Sequence, residues 1–397
     1  MPNAATHSVI TRAALDLQPF PVKENTALIA DYCNYPDRAE CCDYDLITDG
    51  VSFHYLPDVS LNELYRYWLR ENGRLKHRVP FVNEHFEHCY NGFTHYISRT
   101  VEYFRRKENE EARKYLGWLL HVLEDGVFGL HALEGFLGSD PFILDRLTGN
   151  NVSDILAAIA LKEALPIPEY TPRLLGCSIA ESVMLLYAGF CRYSADSRQC
   201  CYRYAVDKLA GKDAEAELEV KKMFENAVKL CADVIFTVFM LAENSELSGR
   251  EYLKLTELEP YEFPFGGCNG YRYRRYSIDC ALDNDHVPIP LKIGSRVYAD
   301  GIAFAAHHEG ALRYRMGQGV FRHFSCAIGL HPDLSMEKDV ILDIINDGKI
   351  IDKIVLNKEH SEEGLFITDP VNDFGIAFHC SPTSGEVVVI GEPRLYR

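Results

Sequence analysis

The chain has 397 residues, a formal net charge of −17, 47% hydrophobic and 25% charged residues. The length implies two or three domains around ordinary globular cores. The acidic balance argues against nonspecific binding to nucleic acid or to an anionic membrane, but leaves a phosphate substrate open, because bound metal ions would dominate the local field.

In chain order, residues 1–255 read mainly as helix. A first helical stretch opens at Thr6–Ile10, with His7 near its start and Val9, Ile10, Ala13 and Ala14 as its apolar residues. The segment 31–58, rich in Asp, Tyr and Cys, lacks helical periodicity and reads as a long structured loop. Apolar stripes at helical spacing follow over 61–71, 92–107, 110–135, 152–164, 179–193 and 214–242. Turn chemistry marks 166–172 and 194–199. The texture changes near Glu259, and residues 256–296 read as a linker with the first strands. Short alternating or apolar runs follow over 271–278, 291–293, 303–306, 311–314, 323–328, 340–345, 350–356, 375–380 and 386–390. Asn346, Asp347, Gly348 and Lys349 form a hairpin turn signal. Such a series of short strands predicts a β-sandwich.

The most apolar run, 231–242, is shorter than a membrane span, so no transmembrane segment is expected. The stretch from Met1 to His7 has neither a basic region nor an apolar one. The expected compartment is therefore the cytoplasm, or the exterior if a leader has been removed. The 13 cysteines contain no CxxC pair and read mostly as free buried thiols.

The chemistry-bearing run is 121–131. On a helix, at about 100° per residue, His121 and Asp125 fall about 40° apart, and His131 about 80° to the other side of His121. Imidazole and carboxylate on one face suit zinc, and a carboxylate can bridge two ions through its two oxygens. A buried polar cluster without metal would use the same residues. Three further candidates lie upstream: His7 at a helix start, Asp37 in the turn 34–37, and His54 between aromatics before Pro57. Elsewhere, His85, His88 and His95 read as part of a packed aromatic helix. His307 and His308 read as a strand end or turn. Arg272, Arg274 and Arg275 read as the solvated face of a strand.

Taken in order, His7, Asp37 in Tyr35-Pro36-Asp37, His54, and the spacing His121-x3-Asp125-x5-His131 resemble the zinc-dependent phospholipase C and single-strand nuclease superfamily. The stretch Tyr115-Leu116-Gly117 is similar to its phospholipase branch. The resemblance covers roughly residues 5–135 and implies a mostly α-helical phosphoric ester hydrolase with two or three zinc ions. It implies that Asp37, His54, His121 and Asp125 hold one zinc, that His7 helps hold a second bridged by Asp125, and that His131 begins a third site. Asp37 would also orient or deprotonate the attacking water, so it is the catalytic candidate. No His lies between His131 and His286 to complete the third site in the family's manner. The implied substrate is a phospholipid or related phosphodiester. A nuclease or phosphomonoesterase of the same superfamily is the first alternative. The second is a non-enzymatic carbohydrate- or partner-binding protein with a degenerate metal centre.

Residues 297–397 resemble the NPCBM family, a carbohydrate-binding type of module with a galactose-binding-like β-sandwich (jelly roll). The resemblance rests on Tyr298–Ala303, on Phe321, Phe324, Ile328 and Gly329, and on Val340–Lys349. It implies a glycan partner for a module that is not itself catalytic. A helical zinc hydrolase followed by a β-module is similar, in layout only, to the toxin-like phospholipases C. The expected organisation is thus a helical domain over 1–255, a linker with first strands over 256–296, and the module over 297–397.

Overall fold

The computed structural model describes residues 4–20, 26–34, 86–129, 169–243, 247–262, 276–283, 285, 287–306, 309–317, 319–334, 338–357, 359–360, 362–367, 371–380 and 386–397. They form two compact units, Met1–Ser248 and Gly249–Arg397. The first is mostly α-helical and the second is an antiparallel β-sandwich. Residues 256–296, read from sequence as linker and first strands, contribute short strands to the second unit.

Six helices build the described part of the first unit: α1 (Ala4–Asp16), α2 (Thr26–Tyr32), α3 (Phe86–Arg105), α4 (Asn109–Val127), α5 (Ile179–Leu209) and α6 (Asp213–Glu243). In α3 the residues Phe93, Tyr96, Ile97 and Val101 recur at helical spacing and are all buried. Phe93 meets Phe190 of α5 edge-on, with ring centroids 5.4 Å apart. His95 lies among the rings of Tyr96 and Tyr115, in keeping with an aromatic packing role. Ser178 caps α5, its hydroxyl accepting from the Glu181 N–H at 3.2 Å. At the other end Gly211 adopts φ +73°, Gly211 N–H donates to Lys208 O and Lys212 N–H to Asp207 O. That pairing is a Schellman motif, and it turns the chain from α5 into α6.

The sequence reading differs from the fold at two places in this unit. The expected turn at 194–199 lies inside α5. Its buried stripe there runs through small residues, Ser194, Ser197, Cys200 and Cys201, of which the two serines carry no apolar signal. The stripe read over 110–135 is also interrupted. Lys107 has φ +63° between α3 and α4, and α4 ends at Val127, where Phe128 is extended and Gly129 has φ +95°. His131 lies outside the described residues. The segments 61–71 and 152–164 lie outside the described residues.

In the second unit the strands are β1 (Tyr252–Lys254), β2 (Ser277–Ile278), β3 (Ala281–Leu282), β4 (Pro288–Ile289), β5 (Leu291–Ile293), β6 (Arg296–Tyr298), β7 (Gly301–Ala306) and β8 (Glu309–Arg315). They continue with β9 (His323–Leu330), β10 (Val340–Asn346), β11 (Lys349–Leu356), β12 (Glu362–Ile367), β13 (Asp373–Cys380) and β14 (Glu386–Tyr396). One sheet runs β12-β9-β14-β7-β2, with β1 also paired to β14, and the other runs β11-β10-β13-β8. Ring pairs from opposite sheets, Phe304 with Phe378 at 5.4 Å and Phe324 with Phe374 at 4.4 Å, fill the space between them. On the other face of β7 and β14, Ala303, Val387 and Val389 pack against Ala281, Leu291, Ile293 and Tyr298 of the short hairpins. Covering on both faces explains the continuous apolar runs in β7 and β14. The β10–β11 hairpin closes at Asp347 and Gly348, with φ +50° and +73°, the two left-handed positions of a type I′ turn.

Candidate metal centre

α1 buries a stripe in which apolar Ile10 and Ala14 alternate with His7 and Thr11, all inaccessible to solvent. α4 is buried all round from Leu119 to Val127, yet it carries His121, Glu124 and Asp125 there. At helical spacing the two carboxylates flank His121, Glu124 about 60° to one side and Asp125 about 40° to the other. Two buried carboxylates cost several kcal/mol each unless they are paired. The pairing comes from α1 and from the end of α2.

His7 lies between the two acids. Its Nδ1–H donates to Glu124 Oε2 at 2.7 Å, and its Nε2 stands 3.4 Å from Asp125 Oδ1. The other Asp125 oxygen, Oδ2, stands 3.4 Å from His121 Nε2. The two imidazoles stack with centroids 4.2 Å apart and 25° between planes. Asp125 thus offers one oxygen to each ring. Glu124 is the hub on the other side: Thr11 Oγ1–H donates to Oε1 at 2.7 Å and Cys33 Sγ–H to Oε2 at 3.0 Å.

These contacts set the charges. Burial presses His7 toward its neutral form, but hydrogen bonds and the charges of Asp125 and Glu124 outweigh it and raise its pKa to about 10. Burial raises Glu124 despite the donors around it. Burial, reinforced by the Glu124 charge, holds the Cys33 thiol well above its ordinary value. Hydrogen bonds to the two buried acids thus favour the protonated form of His7.

The donor set fits a cation. In a tetrahedral zinc site with bonds near 2.0–2.1 Å, neighbouring ligand atoms stand roughly 3.4 Å apart. Both Nε2-to-Asp125 separations have this length. Glu124 fixes His7 through Nδ1, as an acid behind a metal-bound histidine does. Together with Cys33, one ring nitrogen from each of His7 and His121 forms a group whose donor atoms all lie within 4.8 Å of one another. A divalent cation would take the place of the imidazolium proton.

Three of the six residues expected from sequence, His7, His121 and Asp125, meet in one buried cluster. Asp37, His54 and His131 lie outside the described residues. Sequence reasoning missed Glu124, Thr11 and Cys33. The clue to Glu124 was an acid beside His121 and Asp125 in a stretch, 115–127, otherwise made of apolar, aromatic and small residues. Cys33 carried no such clue, because its partner lies 91 positions away.

Gly117 brings α2 against α4. A Cβ at Gly117 would stand 2.7 Å from Tyr32 Cβ, 2.9 Å from Cys33 N and 3.0 Å from Ile29 O. The far end of α4 is held by α5, where Ser194 Oγ–H donates to Gly126 O at 2.7 Å. Among the described residues, Cys33, Cys200, Cys201 and Cys231 are buried thiols outside any disulfide. Among the described residues, no helix is long and apolar enough to cross a membrane.

No family model matches the sequence, and no curated protein matches it. Among solved structures, the alpha toxin of Clostridium absonum aligns over 98% of this chain and 92% of its own, with 11% identity and a TM-score of 0.34. The CBM51 of Clostridium perfringens GH95, solved with methyl-galactose, aligns with 36% of this chain and 99% of its own, at 16% identity and a TM-score of 0.28. Tandem CBM51 modules of a family 98 glycoside hydrolase from Streptococcus pneumoniae align with 37% of this chain and 47% of theirs, at 18% identity and a TM-score of 0.30. The two units are defined by their own helices and strands, and the chemistry by the side chains above.

Proposed function

We propose that the N-terminal unit is a zinc-dependent phosphoric ester hydrolase of phospholipase C type, acting on a phospholipid or a related phosphodiester. The observation that carries this reading is the Asp125 carboxylate set between His7 and His121, one oxygen 3.4 Å from each Nε2. The reaction type comes from the sequence resemblance. In this reading Asp37, His54 and His131 complete a centre of two or three ions. Bound zinc would neutralise phosphate oxygens and activate water for attack on phosphorus. The residues of the chain do the rest. Glu124 orients His7, Thr11 orients Glu124, and the apolar walls of α1 and α4 exclude bulk water. Asp37 would hold the attacking water and accept its proton.

The test is a substrate panel on the full chain after zinc reconstitution. Release of a phosphocholine-type head group is expected. Cleavage of single-stranded nucleic acid instead would place the activity in the nuclease branch, against the acidic charge of the chain. Inactivity on both with zinc bound would contradict an enzyme and favour a binding protein with a degenerate centre.

For the second unit we propose a glycan partner, on the strength of the sequence resemblance and the β-sandwich it implies. Retention of the full chain on a glycan array is expected. A blank array would leave the sandwich a packing role alone.

A further inference from the structure

Cys33 is the first residue past α2 and is fully buried. Its Sγ lies 3.0 Å from Glu124 Oε2, and within 4.8 Å of a ring nitrogen of His7 and of His121. The three donors come from α1, the end of α2 and α4, so their convergence depends on the packing of three separate segments. Gly117 makes that packing close, with room for no side chain between α4 and the Cys33 backbone. Two imidazoles and one sulfur, buried together, are a set that zinc accepts, whereas magnesium and calcium take oxygen ligands.

We propose that Cys33 is a sulfur ligand of the metal centre. The inference rests on the metal reading above and goes beyond it by assigning a soft donor. On binding, the S–H bond breaks, its proton passes to Glu124 Oε2 and on to solvent, and a sulfur–metal bond forms, with no change of oxidation state. Sulfur ligation would bias the centre toward zinc or cobalt and away from magnesium. It would also fasten the end of α2, and the chain leading on to Asp37, to the two histidine-bearing helices.

Cobalt(II) titration of the full chain tests the assignment by absorption, independently of any activity. The wild type is expected to show visible ligand-field bands and a near-ultraviolet sulfur-to-cobalt charge-transfer band. Cys33→Ser and Cys33→Ala are expected to lose the ultraviolet band, keep the visible ones, and bind cobalt at least about tenfold more weakly. Visible bands without the ultraviolet band in the wild type would overturn Cys33 as a ligand and leave the metal reading standing. An ultraviolet band that survives in both variants would assign the sulfur elsewhere and also overturn it. No cobalt uptake by the wild type would overturn both readings. Should a variant fail to fold, the wild-type spectrum still decides whether sulfur is bound.

Discussion

His7 Nδ1 lies 2.7 Å from Glu124 Oε2, although 117 positions separate the two residues. The contact joins α1 to α4 at the point where both are fully buried, and it turns the other ring nitrogen of His7 toward Asp125. A metal ligand held from behind by an acid keeps one tautomer and one ring orientation.

Replacing Glu124 by Gln keeps the shape but removes the charge that orients His7. Metal affinity should fall by roughly 10–100-fold, the usual consequence of losing such a supporting partner. Competition with a chromophoric chelator measures it. Unchanged affinity would mean that Glu124 is only a core acid satisfied by Thr11 and Cys33.

Gly117→Ala tests the approach of α2. Alanine is the better helix former by about 1 kcal/mol. The added Cβ, however, would meet backbone atoms of Cys33 and Ile29 at 2.9 and 3.0 Å and Tyr32 Cβ at 2.7 Å, and these cannot rotate away. Overpacking of this kind costs about 1–3 kcal/mol, so the steric effect should win and the variant should be less stable. A lower melting temperature, accompanied by weaker cobalt binding, is the expected result in a thermal and spectroscopic titration.

The second unit should respond to acid through Asp300. Arg394 donates to both of its oxygens, at 2.6 and 2.9 Å, and Lys254 to one of them at 3.2 Å. The Arg394 hydrogen bonds, opposed by burial, hold the Asp300 carboxyl below its ordinary value of 3.8. A depressed carboxyl stabilises the folded state above the unfolded pKa and loses that contribution as pH falls through the folded one. Asp300→Asn should cost about 2 kcal/mol at neutral pH, the scale of hydrogen bonds to a charged group. The difference from wild type should shrink below pH 3.8, the ordinary carboxyl value. Denaturant melts followed across that range would show it, and a constant difference would contradict the assignment.

Much of the architecture was legible because burial follows simple periods. The alternating and apolar runs of β9, β10 and β13, and the Asp347–Gly348 turn, carry their own signals. The centre of α5 was not legible, because Ser194, Ser197 and Cys200 bury a face without being strongly apolar. In the metal centre, His121 and Asp125 announce themselves by their four-residue spacing on a helix. His7 was found only through the order of motifs. Cys33 and Thr11 reach the cluster through tertiary packing around Gly117 and α1, which no local pattern encodes. The end of α4 at Val127 turns on backbone geometry at Phe128 and Gly129 rather than on hydrophobic pattern.

The most direct measurement is the zinc content of the full chain purified without chelator, compared with that of Asp125→Asn. The wild type should carry at least two zinc ions per chain. The variant should lose zinc and all metal-dependent hydrolysis while keeping its helical circular dichroism, since only the charge of the shared carboxylate is removed. A wild type without zinc, or a variant with undiminished zinc and turnover, would contradict the account.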